Sequence, residues 1–121
     1  MHRVLVVEDE AFIIMLLADL LVDLGFEPIL LATVDDGVSA ANTADFRFAI
    51  LDVNLGGSTS YPVADVLVAR GVPFAFATGY GSGGIDGKYT GIPVLRKPID
   101  RHKFGAVVQA LDNASGKVAS T

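Results

Sequence analysis

Short apolar runs that alternate with amphipathic segments are the feature that most constrains the fold of this chain. The run "RVLVV" at residues 3–7 is rich in β-branched residues and lies between polar ones, which is typical of a buried strand. Residues 10–24 then carry apolar side chains at a spacing of about 3.6 residues and precede Gly25, which predicts a helix with a glycine just after its end. This alternation predicts a parallel sheet with helices on both faces.

The full assignment has five strands and four helices. We predict strands at residues 3–7, 27–32, 46–53, 72–78 and 92–97, and helices at 10–24, 35–44, 62–71 and 100–113. This number and order of elements suits a flavodoxin-like, doubly wound α/β fold, in which a five-stranded parallel sheet has the order 2-1-3-4-5. Residues 1–113 are predicted to form one domain. Residues 114–121 are small and polar, and we expect a disordered tail there.

The crossover between the fourth and fifth predicted strands is unusually rich in glycine. Residues 79–91, "GYGSGGIDGKYTG", contain six glycines among thirteen residues. Each glycine costs a helix about 1 kcal/mol relative to alanine. We therefore expect a reduced or mobile fourth helix, and we interpret this crossover as a candidate order–disorder element.

Composition argues against several classes of function. The chain has 121 residues, is 51% apolar and has a formal net charge of −5, so it can bury a core but has no excess of basic residues to attract nucleic acid. It has no cysteine, which removes disulfides and thiolate metal sites. The longest apolar run, residues 11–18, is shorter than a membrane span, and the N-terminus lacks the pattern of a signal peptide. We expect a cytoplasmic protein without membrane insertion.

Polar side chains stand where the predicted strands end. They are Glu8 and Asp9 after the first strand, Asp52 at the end of the third, Thr78 at the end of the fourth and Lys97 at the end of the fifth. In an open parallel sheet these positions lie at one edge, and three crowded carboxylates repel one another unless a cation lies between them. Oxygen ligands of this kind suit Mg²⁺.

Each of these residues has an ordinary explanation when it is taken alone. Acids are favourable before a helix, an aspartate can end a strand, threonine is a strand former, and a lysine is usually solvated. As a set, however, the motifs "VVEDE" (6–10), "ILDVNL" (50–55), "FATG" (76–79) and "RKP" (96–98) resemble those of the receiver domain of bacterial two-component response regulators. The resemblance covers nearly the whole chain.

The resemblance implies a role for each residue of the acidic cluster. Asp52 would be the phosphoacceptor, which takes a phosphoryl group from a phosphohistidine of a sensor histidine kinase or a histidine phosphotransfer protein. Asp9 and Asp52 would hold Mg²⁺, with Glu8 acting through a bound water and the backbone carbonyl of Asn54 completing the protein ligands.

The resemblance also implies a switch, in which this chain departs from the common pattern. Thr78 and Lys97 would contact the phosphoryl oxygens, and the Lys97–Pro98 bond is expected to be cis. Most receivers carry an aromatic residue three positions before the lysine, whereas this chain has Val94. The sequence "FATGYG" resembles a Phe-Ala-Thr-Gly subclass that lacks this aromatic, so we predict that Tyr80 reports the state of Thr78.

The first predicted helix carries apolar residues on its outer face. If its periodic residues from 13 to 24 face the sheet, then Ile14, Met15, Ala18 and Val22 point outward. Exposed apolar residues that cluster in this way suggest an interface. In receivers the first helix docks on the kinase, so we expect kinase docking first and self-association second, with the protein a monomer or weak dimer.

The leading interpretation is a stand-alone phosphorylation switch with slow autodephosphorylation rather than a turnover enzyme, and it acts through unknown downstream proteins. The alternative is a Mg²⁺-dependent phosphohydrolase with Asp52 as nucleophile, but the position of its usual general acid is Asn54. A third interpretation is nucleotide binding at "GYGSGG", but this loop is not followed by the G-K-[ST] of a phosphate-binding loop. A receiver that binds partners without phosphorylation is a further alternative.

Overall fold

The computed structural model describes residues 1–79 and 84–119, with the backbone alone at residues 116–119. Its strands are β1 (His2–Val7), β2 (Phe26–Leu31), β3 (Phe48–Asp52), β4 (Asn54–Leu55), β5 (Ser58–Thr59), β6 (Phe74–Thr78) and β7 (Val94–Arg96). Its α-helices are α1 (Ala11–Asp23), α2 (Val34–Thr43), α3 (Tyr61–Arg70) and α4 (Arg101–Ala119).

Five of the strands form one parallel sheet in the order β2-β1-β3-β6-β7. Strand β1 pairs on both sides, so that Val4 lies between Pro28 of β2 and Phe48 of β3. Counted as strands of this sheet, the order is the predicted 2-1-3-4-5, and the flavodoxin-like fold is confirmed. All parallel neighbours point their carboxyl ends to the same edge of the sheet.

The sheet is buried on both faces, as the continuous apolar runs predicted. Val4 and Val6 of β1 point into a core formed with α1 and α4, whereas Leu5 and Val7 point into a second core formed with α2 and α3. Four successive residues of β1 are therefore fully buried. A core on each face fixes the register of the strands, because a slip of one residue would exchange their two faces.

Local signals set the ends of the helices. Gly25, with φ of 90°, follows α1, and Gly71, with φ of 69°, ends α3. The Thr33 side chain accepts a hydrogen bond from the Asp36 amide and caps α2. Asp100 does the same for α4, since its carboxylate accepts hydrogen bonds from two amides of the first turn.

The crossover between β6 and β7 (residues 79–91), which we call the fourth crossover, has a reduced helix, as its glycine content predicted. Within the described part of residues 79–91, one three-residue 3-10 helix (Gly87–Tyr89) is present. Its mobility stays a prediction. None of the helices in the described part of the chain combines the length and apolar character needed to cross a membrane.

The C-terminal segment differs from the sequence expectation. We expected the domain to end at residue 113, but α4 continues to Ala119. The disorder that we expect for residues 114–121 stays a prediction. The small residues of this segment include good helix formers and no proline, and Gly116 alone is too small a penalty to end a helix that is already formed.

Candidate functional site

The predicted acidic residues meet at the carboxyl edge of the sheet. Each of Glu8, Asp9 and Asp52 offers a carboxylate oxygen, and these oxygens all lie within 4.8 Å of one another. Glu8 and Asp9 follow β1 directly, and Asp52 is the last residue of β3, its neighbour in the sheet. Glu8 and Asp52 are buried, whereas Asp9 is exposed at the mouth of the cluster.

Glu8 is the most buried charged residue of the cluster, with a side chain only 1% exposed. Its Oε2 accepts hydrogen bonds from the amides of Asp9 (3.0 Å) and Glu10 (3.3 Å). Burial, together with the neighbouring Asp52, raises the pKa of Glu8 from 4.5 to about 7. The Glu8 carboxyl therefore takes up a proton at a higher pH than an ordinary glutamate does.

Lys97 supplies the positive charge of the cluster. Its Nζ lies 2.8 Å from Oε1 of Glu8 and 3.4 Å from Oδ2 of Asp52. Burial works against the ammonium form, but the hydrogen bond to Glu8 and the charges of both acids raise the pKa of Lys97 above its usual value. Lys97 therefore stays charged and partly neutralises the two buried acids.

Thr78 and Pro98 flank this lysine. Thr78 is buried at the end of β6, and its carbonyl accepts a hydrogen bond of 2.9 Å from the Lys97 amide. The Lys97–Pro98 bond is cis, the geometry expected from the resemblance. The structure therefore brings Thr78 to the same edge as Lys97, one strand away from Asp52.

Asn54 lies on a structure that the sequence reasoning missed. Strands β4 and β5 pair antiparallel, with Leu55 opposite Ser58, and Gly56 and Gly57 form a two-residue turn between them. Both glycines have positive φ, 57° and 90°, which defines a type I′ turn. The dipeptide "GG" between two short runs was the available signal for this hairpin.

The hairpin lies beside the acidic cluster. A Cβ placed on Gly56 would lie 3.7 Å from Oδ2 of Asp9. A cavity of about 340 Å³ opens here, and Asp9, Gly56 and Thr33 are among the residues that line it. The mouth of the cluster is therefore bounded by the hairpin on one side and by the start of α2 on another.

The predicted reporter Tyr80 lies outside the described residues, but another tyrosine, Tyr89, packs against Phe76, two residues before Thr78 on β6. Tyr89 is only 5% exposed, and its ring centroid lies 5.4 Å from that of Phe76 and 4.9 Å from that of Tyr61. Its hydroxyl donates a hydrogen bond of 2.6 Å to Asp65 of α3. Tyr89 could not be given a role from the sequence alone, because these partners are distant in sequence.

The outer face of α1 is only partly as predicted. Met15 and Val22 are 66% and 54% exposed, whereas Ile14 and Ala18 are half-buried. Among the large apolar residues of the helix, Phe12 is the most exposed, at 78%, and it lies outside the predicted outer face.

One residue of the predicted inner face of α1 is also misplaced. Leu24 was expected to face the sheet but is 48% exposed. The helix ends at Asp23, so Leu24 no longer follows the helical period.

The donor set fits a hard divalent cation. Three carboxylates whose oxygens lie within 4.8 Å of one another, two of them buried, repel when all are ionised. Burial first, and then the neighbouring Asp52, raise the pKa of Glu8. Oxygen ligands and partial exposure through Asp9 are what Mg²⁺ prefers, because it keeps several of its waters.

Solved structures show which family shares this flavodoxin-like sheet. The chain is 39% identical to SdrG from Sphingomonas melonis Fr1, over 92% of this chain and 96% of that one, with a TM-score of 0.82. A structure of SdrG in its BeF3-activated conformation gives 38% identity, 91% and 95% coverage and a TM-score of 0.76. Neither a protein-family model nor a curated protein matches the chain.

Another similar structure is that of the receiver domain of the PhyR response regulator from Erythrobacter litoralis. It is 26% identical over 91% of this chain and 88% of that chain, with a TM-score of 0.79. This chain belongs to the family of response regulator receiver domains. Members of this family are signalling switches rather than turnover enzymes, and they interact with kinases or phosphotransfer proteins and with downstream partners.

The fold is shared with more distant receivers. The receiver domain of the sensor histidine kinase PA1611 from Pseudomonas aeruginosa PAO1 is 21% identical over 93% of this chain and 98% of that chain, with a TM-score of 0.81. That domain has a magnesium ion coordinated in its active-site cleft.

Proposed function

We propose that Asp52 accepts a phosphoryl group from a phosphohistidine of a sensor histidine kinase or a histidine phosphotransfer protein, and that the modified protein signals to a downstream protein. The observation that carries the proposal is the cluster at the carboxyl edge, where Asp52 lies beside two further carboxylates and 3.4 Å from the Lys97 ammonium. A carboxylate in this setting is a nucleophile with a fixed cation next to it.

The reaction is a transfer between two groups without net hydrolysis. An oxygen of Asp52 forms a bond to phosphorus while the phosphorus–nitrogen bond of the donor histidine breaks, and the released imidazole takes up a proton. The product is an acyl phosphate. Transfers of this kind depend mainly on positioning and on stabilising the charge of the phosphoryl oxygens.

Lys97 and Thr78 are proposed to contact the transferred group. Lys97 now lies between Glu8 and Asp52, and it would exchange part of this pairing for a phosphoryl oxygen. Thr78 ends the neighbouring strand, from which its hydroxyl would donate to another oxygen. The backbone hydrogen bond from the Lys97 amide to the Thr78 carbonyl supports this assignment, because it holds the two residues side by side.

Asp9 and Asp52 would hold Mg²⁺ directly, Glu8 would act through a water, and the Asn54 carbonyl would complete the protein ligands. The ion, when bound, neutralises charge on the phosphoryl oxygens. The three carboxylates lie close enough together to bind one cation, which supports a phosphotransfer reaction that depends on Mg²⁺. The receiver domain of PA1611, which binds magnesium in its cleft, is a precedent in the same fold.

The response to phosphorylation is proposed to pass through the fourth crossover. Val94 is half-buried on β7 and carries no ring, so the usual aromatic switch on this strand has no equivalent here. We assign the chain to the Phe-Ala-Thr-Gly subclass and give Tyr80 the reporting role. Slow loss of the phosphoryl group would follow from water entering at the exposed side of the cluster.

A small phosphodonor tests the proposal without knowledge of the partner kinase. The protein is incubated with acetyl phosphate in Mg²⁺ or in excess EDTA, and its intact mass is measured over time. We expect one phosphoryl adduct in Mg²⁺ and none in EDTA. Adduct formation at the same rate in EDTA would contradict the metal dependence, and no adduct in Mg²⁺ would contradict the proposal itself.

A further inference from the structure

We propose that the Gly56–Gly57 turn is a positioning element for the backbone carbonyl of Asn54 as a Mg²⁺ ligand, an inference that rests on the proposed function. Asn54 is exposed and lies two residues after Asp52, where an ordinary loop would leave its carbonyl free to rotate. The hairpin of β4 and β5 fixes the backbone at this point instead.

The pairing of the hairpin determines which carbonyls it uses. Residues that face each other in an antiparallel pair alternate between hydrogen-bonded and non-hydrogen-bonded positions. A two-residue turn makes Leu55 and Ser58 a hydrogen-bonded pair. Two residues further from the turn, the Ser60 amide donates a hydrogen bond of 2.8 Å to the Val53 carbonyl. The pair between them, Asn54 opposite Thr59, is therefore of the non-hydrogen-bonded kind.

It follows that the Asn54 carbonyl points away from its partner strand. The Asn54 carbonyl oxygen is therefore not used in the hydrogen bonds between β4 and β5. The hairpin nevertheless fixes the position of this oxygen in the backbone that continues from Asp52. The Asp9 carboxylate lies beside the turn, 3.7 Å from where a Gly56 Cβ would stand. One short hairpin therefore lies next to one proposed metal ligand and orients another.

The turn depends on glycine because both of its central residues have positive φ, which other residues adopt at a cost. Gly57 has φ of 90°, and a Cβ added there would have no heavy atom within 4 Å, so a change to alanine strains the backbone without a clash. Gly25, after α1, has the same φ and the same open surroundings and is a matched control.

The test measures Mg²⁺ binding by NMR, with the metal alone as the probe. In the wild type, the ¹³C shift of the Asn54 carbonyl should move on addition of Mg²⁺. Gly57→Ala should weaken binding by about tenfold, the size expected from left-handed strain. Gly57→Asn should keep most of the affinity, because asparagine tolerates positive φ. Gly25→Ala should lower stability while it leaves the affinity unchanged.

Ser58→Pro is a second variant that tests the role of the hairpin, should Gly57→Ala fail to fold. It removes the backbone N–H that closes the hairpin, at a residue that is exposed. It should also weaken binding and abolish the Asn54 carbonyl shift. The inference is overturned if the wild type binds Mg²⁺ but Gly57→Ala and Ser58→Pro bind it equally well, or if Gly25→Ala weakens it as much. A wild type that does not bind Mg²⁺ overturns the metal dependence of the proposed function as well.

Discussion

Glu8 shows most clearly how the environment of a single residue changes its chemistry. Its carboxylate has two amide donors and a lysine at 2.8 Å, all of which favour the charged form. Burial and the nearby Asp52 nevertheless raise its pKa to about 7. Burial and like charge therefore outweigh the partners, which is the condition in which a divalent cation would stabilise the site most.

This shift predicts how the stability of the metal-free protein depends on pH. Because the pKa of Glu8 is higher in the folded state, its contribution to stability is fully present below pH 4.5 and is lost as the pH rises through about 7. The loss is on the order of 3 kcal/mol at most by linkage. We expect Glu8→Gln to flatten this part of the profile in urea unfolding experiments with EDTA.

Glu27→Gln is the control for this experiment, because Glu27 is exposed and makes only a long ion pair of 4.0 Å with Arg3. This variant should follow the wild-type profile. Equal slopes for wild type and Glu8→Gln between these pH values would show that Glu8 does not titrate in this range.

At the scale of elements, the 3-10 helix of the fourth crossover is fastened to α3 by side chains. Tyr89 donates to Asp65, Lys88 pairs with the same carboxylate at 3.4 Å, and the Asp86 amide donates to the Tyr61 hydroxyl at 2.9 Å. The glycines disfavour a full helix in this crossover. The side-chain contacts with α3 hold the segment in place instead. The crossover is therefore anchored at its C-terminal half.

Tyr89→Phe should weaken this anchor while it keeps the ring contacts. The Tyr89 hydrogen bond is the main reason that the pKa of Asp65 lies below its usual value, and Lys88 adds to the effect. We expect the pKa of Asp65 to rise in the variant, as measured by NMR titration of its carboxyl carbon. Because a lowered pKa stabilises the fold above that pKa, the variant should also lose less stability than the wild type on acidification.

An unchanged Asp65 pKa in Tyr89→Phe would contradict the assignment of that hydrogen bond as the main cause. Amide exchange across residues 84–91 provides a second measurement on the same samples. Faster exchange in the variant is expected if the anchor orders this segment.

Helix α1 offers the surface on which we expect a kinase to dock. Phe12 and Met15 are the most exposed large apolar residues of the helix. Met15→Lys should slow phosphotransfer from a histidine kinase by about tenfold while phosphorylation by acetyl phosphate is unaffected, since the substitution touches binding alone. Ile14→Lys tests the half-buried neighbour that the sequence placed on the same face.

Val68→Lys provides the matched control, because Val68 is 57% exposed on α3, on the opposite face of the sheet from α1. It should leave phosphotransfer unchanged. If Met15→Lys transfers as fast as wild type, docking on this face is wrong.

At the scale of the whole molecule, the sequence was sufficient to predict the fold and to predict which polar residues lie together at the carboxyl edge of the sheet. The strands of the main sheet have several apolar residues each, and the crossover rule then fixes their order and brings their carboxyl ends together. Glu8, Asp9, Asp52 and Lys97 could therefore be grouped from their positions in the chain alone.

Features that depend on few residues or on distant contacts could not be predicted in this way. The two-residue strands β4 and β5 are too short to have a period, and the Tyr89 anchor joins residues more than 20 positions apart. The continuation of α4 from residue 114 to Ala119 was not predicted, because the composition of this segment favoured a polar tail.

The most direct test of the central claim is which aspartate carries the phosphoryl group. Wild type, Asp52→Asn and Asp45→Asn are incubated with acetyl phosphate and Mg²⁺, and their intact masses are compared. Asp45 is exposed between α2 and β3, so its variant has the same change of charge away from the cluster. We predict an adduct on wild type and Asp45→Asn and none on Asp52→Asn; an adduct of equal yield on Asp52→Asn would contradict the account.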